Sequence, residues 1–367
     1  MSKTTTAAVI REKGGEFQLE EVTVESPRAN EVLVRTLASG ICHADISSRD
    51  QILPPKPPVI LGHEGIGVVE TLGSGVDAVS VGDRVVLTPL SCGHCRMCLR
   101  GRPMSCLTHL PDNFAGRRTD GSTGFRARDG AEVNAHYFGQ SSFSGLMLTQ
   151  ARSLVKVDDD LPIEVLAPLG CGIQTGAGAV LNVLDPEAGS SIVVVGAGSV
   201  GLAAVMAAKV ARCSSIIAVD MHASRLETAA ELGATHTVRA DTDVVSRVHE
   251  ITNGEGVDYS LDAVGFPVTL RTAVDVLGIG GFAGIVGAGG FGQEVSLDLS
   301  ELLSGRTVRG IIQGDGVPQL FIPKLIQLYR AGEFPLDKLV QTYPLAQIEQ
   351  AVADSESGRT IKPVLLF

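Results

Sequence analysis

Residues 192–210 read IVVVGAGSVGLAAVMAAKV and decide the fold. The valine run predicts a buried strand, and the alanine-rich run after the glycines predicts a helix that follows directly. Between them stands the pattern G-x-G-x-x-G. Gly196 permits a tight turn, Gly198 lets a pyrophosphate approach the backbone, and Gly201 lets helix and strand pack closely. We therefore predict a dinucleotide site at the N-terminus of this helix.

The second predicted strand, residues 216–219, leads directly into Asp220. A carboxylate at this place accepts hydrogen bonds from the adenosine ribose hydroxyls and repels a 2′-phosphate, so it favours NAD over NADP. The nearby cation of Arg225 weakens that preference. A second G-x-G-x-x-G match, residues 287–292, follows a predicted strand but opens no helix pattern. We interpret it as a glycine-rich turn.

The chain around the first motif shows two kinds of pattern. From about residue 171 to residue 313, strands and helices alternate, which is typical of βαβ units in a doubly wound parallel sheet. The residues before about 155 show short apolar runs broken by turns, and the tail ends in an extended run at 364–367. We predict an α/β fold with a β-rich first domain at 1–172, a Rossmann domain at 173–313, and a tail at 314–367 that completes the first domain.

Four of the cysteines are closely spaced. Cys92, Cys95, Cys98 and Cys106 form the pattern C-x2-C-x2-C-x7-C in a loop rich in Gly, Arg and Pro. Four thiolates suit a closed tetrahedral zinc site, which would clamp a loop that has few apolar residues of its own. An iron–sulfur site and a nucleic-acid zinc ribbon are the alternatives, and the acidic charge balance disfavours the second. We predict a structural zinc ion here.

The charge and composition of the chain limit the classes of molecule that it is expected to bind. The chain carries 41 acidic and 30 basic residues, a formal charge of −11, which disfavours nucleic acid and anionic membranes and favours a small-molecule ligand. Glycines interrupt the apolar stretches 165–184 and 189–208, so we interpret both as buried core and not as membrane spans. The charged first residues lack the apolar run of a signal peptide, so we expect a cytoplasmic protein.

Further motifs occur in one order along the chain. They are GICHAD at 40–45, GHEGIG at 62–67, GDRV at 82–85, the four-cysteine loop, and GCG at 170–172. In this order, and over essentially its whole length, the chain resembles the zinc-containing medium-chain alcohol dehydrogenases. The resemblance implies a GroES-like catalytic domain beside the Rossmann domain, with NAD and two zinc ions per chain as cofactors. It also implies a small alcohol or aldehyde as substrate, and a homodimer or homotetramer.

The resemblance implies a catalytic zinc ion as well. Cys42, His63 and Cys171 match its ligands, which leave a fourth position for water or the substrate oxygen. Taken one at a time, a lone cysteine or histidine is more often an ordinary buried residue. Asp45 matches the carboxylate that orients the histidine ligand, and Glu64 matches an acid that lies behind the metal.

Other matched positions concern the cofactor. The resemblance places His43 and Lys362 at the pyrophosphate, and Thr175 and Val286 at the nicotinamide. For Thr175 and Lys362 the alternative is an ordinary helix-start or surface residue.

The proton route is where the sequence departs from the family. Most members carry Ser or Thr at the position of Ala44, where the hydroxyl takes the proton of the alcohol. The histidine that normally ends this relay falls on Ser47. Ser47, the ribose hydroxyls with ordered water, and direct exchange with solvent are the candidate routes.

Residues 48–51, SRDQ, and 314–318, GDGVP, look most like the aryl or benzyl alcohol dehydrogenase branch, which also takes allylic and terpene alcohols. Tyr137 and Phe138 are candidates for an apolar substrate pocket, with core packing as the alternative. The rival functions are a glutathione-dependent formaldehyde dehydrogenase or an aldehyde reductase of the same fold. A non-catalytic, crystallin-like binding protein is a rival from another class.

Overall fold

The computed structural model describes residues 2–290 and 292–367, which form two compact units. The first unit consists of the residues up to Cys171, Val317–Lys324 and Leu336–Phe367, and the second consists of Gly172–Gly316 and Leu325–Pro335. The boundaries expected from sequence assigned the whole tail from residue 314 to the first domain. They did not predict that Leu325–Pro335 returns to the second unit. The change of unit lies inside the helix Pro318–Arg330, next to Pro323.

The secondary structure is described most simply as two series. The strands are β1 (Lys3–Ile10), β2 (Gln18–Val24), β3 (Glu31–Gly40), β4 (Val59–Ile60), β5 (Glu64–Leu72), β6 (Arg84–Leu87), β7 (Phe125–Ala127), β8 (Glu132–Val133), β9 (Leu146–Gln150), β10 (Leu154–Lys156), β11 (Ser191–Val195), β12 (Ser215–Asp220), β13 (His236–Arg239), β14 (Val257–Asp262), β15 (Leu277–Ile285), β16 (Thr307–Gly310), β17 (Val340–Pro344) and β18 (Lys362–Leu366). The α-helices are α1 (His43–Arg49), α2 (Arg96–Leu99), α3 (His109–Phe114), α4 (Ile163–Leu166), α5 (Gly172–Gly178), α6 (Ser199–Val210), α7 (Ala223–Leu232), α8 (Val244–Ile251), α9 (Pro267–Asp275), α10 (Leu299–Leu303), α11 (Pro318–Arg330) and α12 (Ile348–Glu356).

The second unit is built on a six-stranded parallel sheet in the order β13-β12-β11-β14-β15-β16. Ile192 of β11 lies opposite both Ile216 of β12 and Tyr259 of β14. The chain order therefore reverses at β11, and at such a switch point the carboxyl ends of the strands open a crevice for a ligand. The predicted Rossmann sheet is confirmed, and its glycine motif follows the strand at the switch point.

The first unit is rich in antiparallel sheet. One sheet has the order β4-β1-β2-β7-β8, and a second has the order β10-β6-β5-β3-β18-β17, with β9 paired to β3. Strand β18 pairs with β3, Val364 opposite Gly40, so the C-terminal end of the chain completes a sheet that begins near the N-terminus. On its other edge β3 pairs with β5, Gly40 opposite Glu64. This second pairing brings together two segments that carry candidate metal ligands.

None of the described helices is by itself long and apolar enough to cross a bilayer. The consecutive helical segments Ile163–Gly170 and Gly172–Leu184 meet the length and composition requirement only as a bent pair. Residues 165–180 are all buried within the protein. The apolar stretch that begins at residue 165 is thus accounted for by burial in the fold.

Candidate active site

Three candidate ligands and one carboxylate converge in the first unit. Cys42 lies at the N-cap of α1, His63 and Glu64 lie at the start of β5, and Cys171 follows a 3₁₀ turn. The sulfur, nitrogen and oxygen atoms that these four residues offer to a metal all lie within 4.8 Å of one another. The antiparallel pairing of β3 with β5 accounts for the approach of Cys42 to His63, which are distant in sequence.

Asp45 ties two of the candidate ligands together. Its Oδ1 accepts hydrogen bonds from His63 Nδ1 at 2.9 Å and from the Gly62 backbone N–H at 3.0 Å, and its Oδ2 accepts from the Cys42 backbone N–H at 2.9 Å. Asp45 is fully buried, so these bonds compete with little water. Because Nδ1 is the donor, the Nε2 lone pair of His63 is left available to a metal.

The donor set fits a zinc ion. Within residues 2–290 and 292–367, no group hydrogen-bonds His63 Nε2, although the atom is fully buried. A buried nitrogen without a partner is costly unless something else binds it. The pKa of the Cys42 thiol lies well below its usual value, because Cys171 hydrogen-bonds to it and His63 lies beside it. Two sulfur ligands and one imidazole nitrogen suit zinc with one open position.

Glu64 and Lys362 form an ion pair beside this cluster. Lys362 Nζ donates to Glu64 Oε1 at 3.0 Å and Oε2 at 2.9 Å, and to the Ile41 carbonyl at 3.0 Å. The side chain of Glu64 is 0% exposed, and that of Lys362 is 1% exposed. Burial raises the pKa of Glu64 to about 7, although Lys362 opposes the shift. Gly40 is required here, because a Cβ atom at that position would overlap Glu64 Oε2.

The ion pair changes the interpretation of Lys362. The two Glu64 carboxylate oxygens and the Ile41 carbonyl oxygen accept hydrogen bonds from all three donors of the Lys362 ammonium group. The family resemblance places Lys362 at the cofactor pyrophosphate and gives no indication of its partner Glu64. That contact with the pyrophosphate stays a prediction, and the structure adds a role for Lys362 beside the candidate zinc ligands.

The four cysteines of the loop form a second cluster, and their sulfur atoms also lie within 4.8 Å of one another. Cys95 Sγ lies 3.6 Å from Cys98 Sγ and 3.9 Å from Cys106 Sγ. Backbone N–H groups point at the sulfurs: that of Cys92 donates to Cys106, and that of Cys95 donates to Cys92, each at 3.3 Å. Backbone hydrogen bonds lower the pKa of Cys95 to about 6, which favours a thiolate. All four are free thiols that fit a tetrahedral zinc ion.

The glycines of the dinucleotide motif have the geometry that the sequence predicts. Gly196 adopts a φ of +95°, which only glycine tolerates easily, and a Cβ on Gly201 would overlap the Gly196 carbonyl oxygen. Gly198 is the N-cap of α6, and a Cβ there would meet no described atom within 4 Å. A phosphate can therefore approach the backbone at Gly198 and the N-terminus of α6.

Asp220 stands at the end of β12 next to the same turn. Its Oδ2 accepts a hydrogen bond from the Ala197 backbone N–H at 2.7 Å, and its Oδ1 accepts one from the His222 backbone N–H at 2.8 Å. Arg225 Nη1 lies 4.0 Å from Asp220 Oδ2. The carboxylate is thus fixed beside the glycine turn, with a cation near enough to partly offset its charge.

Comparisons with known proteins show the family to which this chain belongs. A family model described as an alcohol dehydrogenase GroES-like domain matches residues 28–159, and one described as a zinc-binding dehydrogenase matches residues 199–330. Geraniol dehydrogenase of Castellaniella defragrans is 42% identical over 98% of this chain and 97% of its own length. The chain belongs to the zinc-dependent alcohol dehydrogenases.

Solved structures of this family have the same fold. An alcohol dehydrogenase zinc-binding domain protein from Burkholderia ambifaria is 48% identical, with a TM-score of 0.97 and full coverage of both chains. Benzyl alcohol dehydrogenase from Acinetobacter calcoaceticus is 44% identical, with a TM-score of 0.96 and coverage of 100% and 99%. The enzyme is therefore an alcohol dehydrogenase with NAD and two zinc ions per chain as cofactors.

The remaining predicted site residues of this dehydrogenase lie in both units. Thr175 is buried in α5 and donates to Gln313 Oε1 at 3.4 Å, and Val286 follows β15. His43 is exposed at the start of α1, and Ser47 is buried within the same helix. Their contacts with NAD and their part in proton transfer stay predictions.

Tyr137 and Phe138, candidates for the substrate pocket, are buried and contact His63. They are 0% and 4% exposed, and their rings lie 5.5 and 4.4 Å from the imidazole centroid. Core packing, the alternative, agrees with this burial, and a place at the substrate pocket stays a prediction. Sequence reasoning had no signal for this contact, because the residues are more than 70 positions from His63.

Proposed function

We propose that this enzyme oxidises primary allylic and aromatic alcohols to aldehydes with NAD, and catalyses the reverse reaction, at a zinc ion held by Cys42, His63 and Cys171. The observation that carries this proposal is the buried, unpartnered Nε2 of His63 beside two cysteine sulfurs. The names of two relatives support the substrate class, since geraniol and benzyl alcohol are both primary alcohols whose carbinol carbon adjoins a π system.

The residues around the ligands have distinct parts in the chemistry. When bound, zinc supplies the Lewis acidity that lowers the pKa of the alcohol hydroxyl, and NAD accepts the hydride. Asp45 keeps His63 in the tautomer that presents Nε2, and it fixes the backbone of Cys42 at the same time. Lys362 balances the charge of Glu64 behind the cluster. The chain thus positions the ligands before the substrate binds.

We propose that NAD is bound by the motif of the second unit, with the pyrophosphate at Gly198 and the adenosine ribose at Asp220. The free space at Gly198 and the fixed carboxylate of Asp220 support this placement. His43 is proposed to contact the pyrophosphate, Arg225 the ribose region, and Thr175 and Val286 the nicotinamide. A contact of Lys362 with the pyrophosphate would require its ammonium group to release one of the three oxygens that it now binds.

Proton transfer needs a different description from the family's usual relay. Ala44 has no hydroxyl, and its carbonyl accepts a hydrogen bond from Tyr137 Oη at 3.0 Å. Ser47 is buried, which leaves it poorly placed to exchange protons with water. We propose that no side-chain hydroxyl takes the alcohol proton, which would instead pass to water, with Ser47 as the rival route.

We further propose that Cys92, Cys95, Cys98 and Cys106 hold the structural zinc ion, and that the enzyme is a cytoplasmic homodimer or homotetramer. The short backbone N–H to sulfur distances in the loop support the metal assignment. Size measurement in solution tests the oligomer.

The substrate proposal is tested by steady-state kinetics with benzyl alcohol, geraniol, ethanol and S-hydroxymethylglutathione, each with NAD and with NADP. We expect the highest kcat/KM for benzyl alcohol or geraniol with NAD. A preference for S-hydroxymethylglutathione would identify a formaldehyde dehydrogenase instead. Absence of turnover with every alcohol, in a protein that retains its zinc, would favour a non-catalytic binding protein.

A further inference from the structure

His63 is held at its edge by Asp45 and on its face by Phe138. The rings of His63 and Phe138 are stacked, with centroids 4.4 Å apart and planes at 21°. Tyr137 meets the imidazole edge-on, at 5.5 Å and 88°. The hydrogen bond to Asp45 holds one ring nitrogen but still leaves some rotation of the imidazole about its Cβ–Cγ bond. A flat partner on the ring face restricts this rotation.

The backbone of Phe138 is unusual for a residue of its type. Its φ of 48° and ψ of 31° lie in the left-handed region, which a bulky side chain rarely adopts. The neighbours hold it there: Tyr137 Oη donates to the Ala44 carbonyl at 3.0 Å, and Gly139 N donates to the His136 carbonyl at 2.9 Å. Strained residues of this kind are concentrated at functional sites. At Phe138 the left-handed backbone occurs together with a ring stacked on His63.

The ring of Phe138 is packed among other aromatic rings. The residue is only 4% exposed, and Phe114 packs against it at 4.8 Å as well. Its principal flat contact is the imidazole of His63. The position of the ring therefore suits an action on His63.

We propose that Phe138 is a positioning residue for the catalytic zinc: its ring holds the His63 imidazole in the plane from which Nε2 meets the metal. The left-handed backbone of residue 138 is the device that places the ring. This inference rests on the proposed function, in which His63 is a zinc ligand. Groups that orient a metal ligand in this way typically affect metal affinity or activity by about 10- to 100-fold.

The test compares three substitutions in the intact enzyme. Phe138→Leu keeps an apolar side chain but removes the flat face, and Phe138→Tyr keeps the ring. Phe125→Leu is the matched control, because Phe125 is a fully buried phenylalanine of the same unit that contacts His136 and not His63. Three quantities are measured: the visible spectrum after cobalt replaces the exchangeable zinc, the rate at which a chelator removes that metal, and kcat and KM for a small alcohol.

We expect Phe138→Leu to shift the cobalt absorption bands, to speed metal removal, and to lower kcat by about 10- to 100-fold with a smaller change in KM. Phe138→Tyr should restore all three values toward the wild type. Phe125→Leu should lower the melting temperature but leave the cobalt bands in place. Cobalt bands and metal removal that match the wild type in Phe138→Leu would overturn the proposal, and so would a change confined to the KM of large alcohols.

A fourth variant separates the effect of the Phe138 ring from the effect of its backbone conformation. Phe138→Gly relieves the strain of the left-handed backbone at residue 138. Any shift of the cobalt bands or fall in kcat in a well-folded protein is therefore caused by the missing ring. Unchanged cobalt bands in that variant would also contradict the proposal. Failure of the underlying assignment has a different signature, because His63→Ala would then retain its full zinc content.

Discussion

Breaking the buried ion pair of Glu64 and Lys362 should destabilise the fold strongly. Lys362→Met leaves a carboxylate that is 0% exposed without the ammonium group that now lies 2.9 and 3.0 Å from its oxygens. Removal of one partner from a buried pair typically costs about 3–5 kcal/mol, because the other charge stays buried alone. For a domain of this size each kcal/mol lowers the melting temperature by about 2–4 °C, so we expect a fall of roughly 6–20 °C.

The assay is urea and thermal unfolding of Lys362→Met, Glu64→Gln and the double variant. The double variant should recover most of the loss, since it buries no uncompensated charge. Arg239→Met is the control, because Arg239 and Asp241 form an exposed pair, 43% and 53% accessible, whose loss should cost less than about 1 kcal/mol. A loss in Lys362→Met as small as in the control, or no recovery in the double variant, would refute the reasoning.

Three further predictions concern cofactor choice, proton transfer and acid stability. Asp220→Gly should raise kcat/KM with NADP relative to kcat/KM with NAD. An unchanged ratio would indicate that Arg225, and not Asp220, determines the cofactor preference. Ala44→Thr should raise the oxidation rate most near pH 6, by up to ~10²- to 10⁴-fold if proton transfer limits turnover. A higher KM for large alcohols, with kcat unimproved between pH 6 and 10, would show that Ala44 only makes room for the substrate. Burial and the charge of Arg118 lower the pKa of His136 to about 3. The unfolded chain then binds more protons below pH 6.5, so stability should fall by up to about 1.4 kcal/mol per pH unit between pH 6 and 4. The fall should be smaller in His136→Gln, and equal slopes in urea unfolding would contradict it.

The dinucleotide motif and the cysteine loop could be predicted because their residues are close in sequence. The turn at Gly196 and the packing at Gly201 depend only on the adjoining strand and helix. The sulfurs of the loop, from Cys92 to Cys106, come together within one short segment. In such cases spacing alone restricts the geometry.

The catalytic cluster could not be derived from spacing, because the chain assembles it by strand pairing. Cys42 and His63 meet through the register of β3 and β5, and the resemblance to a family supplied what spacing could not. The pairing of Lys362 with Glu64 links residues 298 positions apart, so sequence gave no sign of it. Strand β13 also lacks a signal in the sequence, because Val238 is its only buried residue and the apolar pattern is absent.

Zinc content tests the central claim most directly. Elemental analysis of the wild type, of His63→Ala and of Cys95→Ser is combined with alcohol oxidation and melting temperature. We predict two zinc ions per chain in the wild type. His63→Ala should hold one zinc ion and oxidise no alcohol. Cys95→Ser should lose the other ion and melt lower, because a structural site contributes to folding. Two zinc ions in His63→Ala, or alcohol oxidation by that variant, would contradict the assignment of the catalytic zinc to Cys42, His63 and Cys171.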